Sequence, residues 1–296
     1  MEQAILYDSS KCTACKACQV ACKCWNELPS PLEKNSGEFK GTLQNPPDLN
    51  GTTRVIITFN EEDNGQKYGV NWAFGRRSCQ HCTDPACVQI CPSGALFVDD
   101  DTKLVSYDQD KCIGCQYCST ACPYDVPRYD NNKINKCTGC LDRVRNGRAP
   151  ACVTTCAPGA LQFGDRDEMV AEAESRVAAL HEKGFDDACV YGVDELGGLH
   201  VIQVLKYGIA AHGQVENPTV NPMVGLTHVW RPLAGAAAAA TVIGLGVSFL
   251  RGVGYRRDTL HYDETTGETI DLDTQKVVAE KDVVNEGVDS QGKGDN

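Results

Sequence analysis

The chain holds eighteen cysteines in 296 residues, and sixteen of them fall into four runs. The first is Cys12-x2-Cys15-x2-Cys18-x3-Cys22. The second is Cys79-x2-Cys82-x4-Cys87-x3-Cys91, followed by Pro92. The third is Cys112-x2-Cys115-x2-Cys118-x3-Cys122, followed by Pro123. The fourth is stretched: Cys137-x2-Cys140, eleven residues, then Cys152-x3-Cys156. Thiols two residues apart in a tight turn converge on one point, which suits a metal and strains a disulfide. Disulfide frameworks rarely place three cysteines within seven residues, as Cys12 to Cys18 do. A structural zinc needs only a tetrahedron of four thiolates and leaves three equally spaced cysteines unexplained.

Runs one and three have the ferredoxin spacing. Three thiolates hold three irons of one cubane, and the fourth cysteine reaches across to a neighbouring cluster. The prolines after Cys91 and Cys122 end the local helical turn. Four complete runs supply sixteen ligands, so four [4Fe-4S] clusters are expected. Within a pair of runs, the first three cysteines of one combine with the last of the other. Spacing does not say which runs pair. Basic residues crowd the ligands in sequence: Lys11, Lys16, Lys23, Arg76, Arg77, Lys111, Arg128, Lys136, Arg143, Arg145 and Arg148. Cations near a thiolate-bound cubane should raise its potential. Cys24 reads as a bystander beside Cys22, and Cys189 as a small core residue.

The elements that must position these runs are short. Leu96-Phe97-Val98 and Leu104-Val105-Ser106-Tyr107 flank Asp99-Asp100-Asp101 and read as a β-hairpin. Ala4–Tyr7 and Leu161–Phe163 read as matching edge strands. Residues 25–78 form an insertion with loop chemistry around one strand, Val55–Phe59. Residues 167–183 read as a helix with Met169, Val170, Ala173, Val177 and Leu180 on one face and Gly184 as its stop. Cys189–Val193 and His200–Leu205 suggest a further strand pair. Residues 232–250 carry no charge and at 1.5 Å per residue reach roughly 28 Å, enough to cross a bilayer. Trp230 sits where an interfacial aromatic belongs, and Arg251, Arg256 and Arg257 follow at once.

The formal net charge is −12, and residues 252–296 contribute half of it, with 5 basic and 11 acidic side chains. That tail is expected to be extended or disordered. No basic patch suggests nucleic-acid binding. Residues 1–8 lack a basic n-region and a long apolar segment, so export is expected to depend on something other than a signal in this stretch.

Several stretches resemble the iron–sulfur β subunit of respiratory formate dehydrogenase. They are Cys15-Lys-Ala-Cys18-Gln-Val-Ala-Cys22 with Trp25-Asn26, Cys79-x-His-Cys82-x-Asp-Pro-x-Cys87, Cys112-Ile-Gly-Cys-x-Tyr-Cys, Lys136-Cys-Thr-x-Cys140-x-Asp-Arg-Val and Pro150-Ala-Cys152-Val-x-Thr-Cys156. The likeness continues through Phe163-Gly164 and Gly197-Gly198-x-His200-Val201 and covers roughly residues 4–257. It implies that run one pairs with four, and two with three. One cluster would then take Cys12, Cys15, Cys18 and Cys156, and its neighbour Cys22, Cys137, Cys140 and Cys152. The other pair would take Cys79, Cys82, Cys87 and Cys122, then Cys91, Cys112, Cys115 and Cys118. In related nitrate-reductase β subunits a tryptophan replaces one ligand, whereas every position here is cysteine. Lys23 after Cys22 and Ala157 after Cys156 depart from the usual proline.

The resemblance implies an electron-transfer subunit between a molybdenum- or tungsten-pterin catalytic subunit and a membrane cytochrome b subunit, exported folded with its partner. Similar modules occur in membrane hydrogenases, sulfur-compound reductases and stand-alone polyferredoxins. The expected fold is α+β: two ferredoxin-like double-cluster modules with inserted loops and one C-terminal transmembrane helix. The expected divisions are a four-cluster domain at 1–165, a helix and strand extension at 166–230, the span at 231–251 and the tail at 252–296. By the positive-inside rule the tail is cytoplasmic and the clusters lie outside.

Overall fold

A computed structural model describes residues 2–29, 43–67, 69–253 and 260–278. The chain divides into two units, Met1–His228 and Val229–Asn296. The first opens with β1 (Gln3–Asp8), α1 (Ala17–Trp25), β2 (Val55–Asp63), β3 (Val70–Ser78) and α2 (Ala86–Gln89). Next come β4 (Leu96–Val98), β5 (Val105–Tyr107), α3 (Tyr117–Ala121), β6 (Arg128–Asp130), β7 (Lys133–Asn135), α4 (Leu141–Arg145) and α5 (Ala151–Thr154). It continues through β8 (Leu161–Asp165), α6 (Arg166–His181), β9 (Cys189–Tyr191), β10 (Val201–Leu205) and α7 (Gly208–Ala211) to the start of α8 (Pro222–Val253).

One four-stranded sheet, in the order β8-β1-β10-β9, organises this unit. Ile5 pairs with Phe163 antiparallel and with Val201 parallel, so β1 is an interior strand rather than an edge. Its apolar run Ala4–Tyr7 is buried on both faces, as a parallel central strand requires. Ala4, Leu6, Ile202 and Val204 pack under α6, against Ala173 and Leu180. Ile5, Tyr7 and Val201 face the other way and meet Cys18 and Cys152. The period-2 alternation of the strand thus gives one face to a helix and the other to the thiols.

Helix α6 spans residues 166–181, close to expectation, and the Asp165 carboxylate caps it by accepting from Asp167 N at 3.0 Å. The expected hairpin at 96–107 is β4 and β5. The insertion holds more order than one strand: β2 pairs with β3 over nine residues, Val55↔Ser78 to Asp63↔Val70. Gly75 is required there, because a Cβ would lie 2.3 Å from the His212 carbonyl oxygen.

Val224, at the start of α8, is buried against Ala86 of α2 and Ala121 of α3. The helix is longer than the expected 231–251, and the stretch Val224–Arg251 is long and apolar enough to cross a membrane. Leu233, Val242, Ile243, Leu245, Phe249 and Leu250 are exposed along it.

In the second unit the tail is not simply extended. β11 (Leu260–Asp263), β12 (Glu268–Asp271) and β13 (Lys276–Val278) form an antiparallel meander. The cause is local turn chemistry. Asp263 Oδ1 accepts from Thr265 N at 2.8 Å and Asp271 Oδ1 from Asp273 N at 2.9 Å, each closing an Asx turn between β-prone segments. The rest of the expected tail disorder, at 254–259 and 279–296, lies outside the described residues.

Candidate functional site

Each cysteine run begins as a tight loop and ends as a helical turn. The residue just before the second cysteine has positive φ in every run: Ala14 (51°), His81 (50°), Gly114 (73°) and Gly139 (65°). Left-handed backbone costs a non-glycine residue of order 1 kcal/mol, so its recurrence marks a constraint on the loop. The consequence is that a backbone N–H turns back onto the first sulfur. Ala14 N donates to Cys12 Sγ and Gly139 N to Cys137 Sγ, both at 3.4 Å. The backbone at His81 does the same for Cys79. Such donors stabilise a thiolate. At Gly114 the approach is close as well as left-handed, since a Cβ would sit 2.4 Å from the Asn132 carbonyl oxygen.

The third and fourth cysteines of a run are four residues apart. Cys18 and Cys22 therefore share a face of α1, one turn of about 5.4 Å apart. They nonetheless serve different neighbours. Burial pushes the Cys18 thiol up to about 12, and Cys152, Cys12 and Cys15 add to the shift. Burial also raises Cys22, where the added influence comes from Cys137, Cys152 and Cys140. Cys12 feels Cys156 and Cys15, and Cys140, pushed up to about 12 by burial, feels Cys137 and Cys152. Cys82 and Cys87 are raised by burial and by Cys79 and Cys122. Cys91, Cys112, Cys115 and Cys118 line one pocket with Tyr129. The ligand sets implied by the resemblance are the quartets 12/15/18/156, 22/137/140/152, 79/82/87/122 and 91/112/115/118; across the first two, Cys152 acts on Cys18.

Cysteines of different implied quartets share apolar surroundings. Cys12, Cys18, Cys152 and Cys156 lie in one apolar cluster, so the first two quartets adjoin. Cys79, Cys82, Cys122 and Cys137 lie in the next, joining the second quartet to the third. Cys87 packs with Cys91, Cys112 and Cys118 in another, joining the third to the fourth. Cys15 and Cys115 are exposed, whereas the other fourteen run cysteines are buried or half-buried.

Two further hydroxyls attend the sulfurs: Tyr129 Oη lies 2.9 Å from Cys118 Sγ, and Tyr7 Oη, which donates to the Phe74 carbonyl at 2.8 Å, also reaches Cys12. Neither tyrosine stood out in the sequence, since each lies far from its cysteine or in an ordinary strand. Of the eleven basic residues near the runs, Arg76 (1 % exposed) and Lys136 (2 %) are buried, and the rest are half-buried or exposed. Cys24 is exposed beside Trp25 and Arg143, and Cys189 is half-buried in β9.

Among the described residues, no three His, Cys, Asp or Glu side chains are close enough to hold a single metal ion. The all-thiol donor set of each quartet and its dry surroundings fit an iron–sulfur cluster, and the backbone donors aimed at sulfur fit the cluster's negative charge. An unligated thiol raised by burial stays protonated near neutrality, so metal binding would displace those protons.

Comparison with known proteins agrees. Residues 70–166 match the family described as a 4Fe-4S dicluster domain. The nitrate-inducible formate dehydrogenase iron–sulfur subunit of Escherichia coli K12 is 38% identical over 264 residues, 87% of this chain and 87% of that protein. The chain belongs to the formate dehydrogenase iron–sulfur subunit family. A second member, formate dehydrogenase 2 subunit beta (cytochrome c-553) of Nitratidesulfovibrio vulgaris, is 38% identical over 211 residues, 68% of this chain and 94% of its own length. The hydrogenase-2 operon protein HybA of Escherichia coli O157:H7 is 38% identical over 191 residues, 59% of this chain and 55% of that protein. As a member of this family the chain is an iron–sulfur electron-transfer protein, and among the described residues one helix is long and apolar enough to cross a membrane.

Proposed function

We propose that the sixteen run cysteines hold four [4Fe-4S] clusters, one per quartet, in two double-cluster modules, and that the chain conducts electrons along them. A bound cluster supplies one-electron transfer without bond making. The chain contributes ligation, exclusion of water and control of charge. One observation carries this reading: of the sixteen run cysteines only Cys15 and Cys115 are exposed, and they fall in the first and last of the proposed quartets. A conduit needs access at two ends and insulation between them, whereas a zinc-stabilised module needs neither.

Family membership supports a molybdenum- or tungsten-pterin formate dehydrogenase subunit as the partner at one end. The other end meets a membrane partner of the cytochrome b kind. The start of α8 packs on α2 and α3, which carry Cys87 and Cys118, and we place the membrane partner at the Cys115 end. Ile113 and Tyr117, 69 % and 59 % exposed, flank Cys115 and offer an apolar docking rim. Arg251, Arg256 and Arg257 follow the span and favour a cytoplasmic C-terminus, with the clusters on the other side.

The relative HybA favours a second reading, the corresponding subunit of a membrane hydrogenase. Detergent extraction and affinity purification of the full chain separate the two. Recovery with a molybdopterin subunit and a b-type haem is expected. Recovery with a nickel–iron subunit selects the hydrogenase reading, and recovery in the soluble fraction without detergent contradicts the membrane partner.

A further inference from the structure

Arg76 and Lys136 occupy the seams of the row. Arg76 projects from β3 and acts on Cys18 of the first quartet and on Cys152 and Cys137 of the second. Its Nη1 donates to Ser78 Oγ, a further hydrogen bond reaches Cys152, and its Nε has no partner among the described residues. Lys136 stands at the next seam. Its Nζ donates to the carbonyls of Val105 (2.7 Å) and Cys137 (2.9 Å) and lies 3.7 Å from Cys79 Sγ. Its charge acts on Cys79, Cys82, Cys87 and Cys122. Among the described residues no carboxylate pairs with either cation.

A buried cation with no carboxylate partner is expensive unless the centres beside it supply the opposing charge, and a well-packed apolar residue otherwise serves structure better. These two charges therefore need a function that an apolar side chain could not perform. Reducing a thiolate-bound cubane adds one negative charge and changes no bond, so a nearby fixed cation favours the reduced form. The effect is strong in a dry interior and weak for the solvated lysines and arginines at the surface.

We propose that Arg76 and Lys136 are positioning charges that raise the midpoint potentials of the centres on either side of their seams. The second quartet, with Cys137 beside both cations, gains most, and the fourth, at neither seam, gains least. An electron entering at either exposed end is thereby drawn towards the closed interior. This inference rests on the four-centre reading.

The test is an EPR-monitored redox titration of the complex purified anaerobically from membranes, with Arg76→Gln, Arg76→Lys, Lys136→Gln and Lys136→Arg beside the unaltered chain. Arg76→Gln is expected to lower two centres by at least tenfold in the reduced-to-oxidised ratio at fixed potential, about 59 mV for one electron. Arg76→Lys should retain most of the unaltered values, and Lys136→Gln should lower a different pair that shares one centre with the first. Unshifted potentials in either Gln variant with full iron overturn the inference. So does an equal shift in Gln and charge-retaining variants, which would assign the effect to packing. If both Gln variants lose their clusters, unaltered potentials in Arg76→Lys and Lys136→Arg support the inference, and cluster loss in those two overturns it. Too little iron in the unaltered complex defeats the four-centre reading itself, a separate outcome.

Discussion

Cys22→Ala is expected to remove one centre, about four of roughly sixteen iron atoms, while Cys24→Ala keeps them all. The two thiols are two residues apart on α1 and differ in every physical respect that matters. Cys22 is buried and lies within reach of Cys137, Cys140 and Cys152. Cys24 is exposed beside Trp25, whose ring carries the Arg143 guanidinium 4.3 Å from its centroid. The first centre should be retained with an altered EPR signal, because Cys18 is one turn away and Cys152 packs with Cys12 and Cys18. Loss of the second quartet's centre interrupts the proposed row, so electron transfer through the complex should fall to background. Iron analysis and EPR of both variants decide this. Iron loss from Cys24→Ala with Cys22→Ala intact would falsify the assignment of the quartets.

Stripping the iron should destabilise the cysteine-bearing unit as a whole. Thiols form part of three of its apolar clusters, so much of what serves as core is ligand. Arg76 and Lys136 would then be buried cations beside protonated thiols. An uncompensated buried ion costs several kcal/mol, and about 1 kcal/mol lowers Tm by roughly 2–4 °C in a domain of 150–250 residues. The stripped chain should melt at least about 10 °C lower than the loaded one, and circular dichroism melts under anaerobic conditions measure the difference. An unchanged melting temperature would mean that the sheet under α6 stabilises the fold without the centres.

The cysteine runs, the 96–107 hairpin and α6 were legible because each has a local cause: a fixed spacing, an acidic turn between apolar triplets, a stripe of apolar residues with a glycine stop. What escaped was set by distant partners. Ala4–Tyr7 reads as a generic apolar strand, and nothing local says that Val201 lies beside Ile5. β3 was missed because Arg76, Arg77 and Gly75 break its apolar pattern, yet Arg76 is buried by the sulfur environment and Gly75 by its close approach to His212. The basic residues near the runs could be counted from sequence, but which two were dry could not, since burial depends on the meeting of segments distant in sequence: Arg76 lies by Cys18 and Cys152, and Lys136 by Cys79 and Val105. The tail misled by composition: its acidity suggested disorder, and the two aspartates that close turns were counted only as charge.

The most direct test of the four-centre conduit is the iron and acid-labile sulfide content of the anaerobically purified complex, assigned to this chain by comparison with a preparation lacking it. The account predicts about sixteen irons and sixteen sulfides per chain, as four cubanes require, with little zinc. About eight irons, or zinc in place of iron, would contradict it.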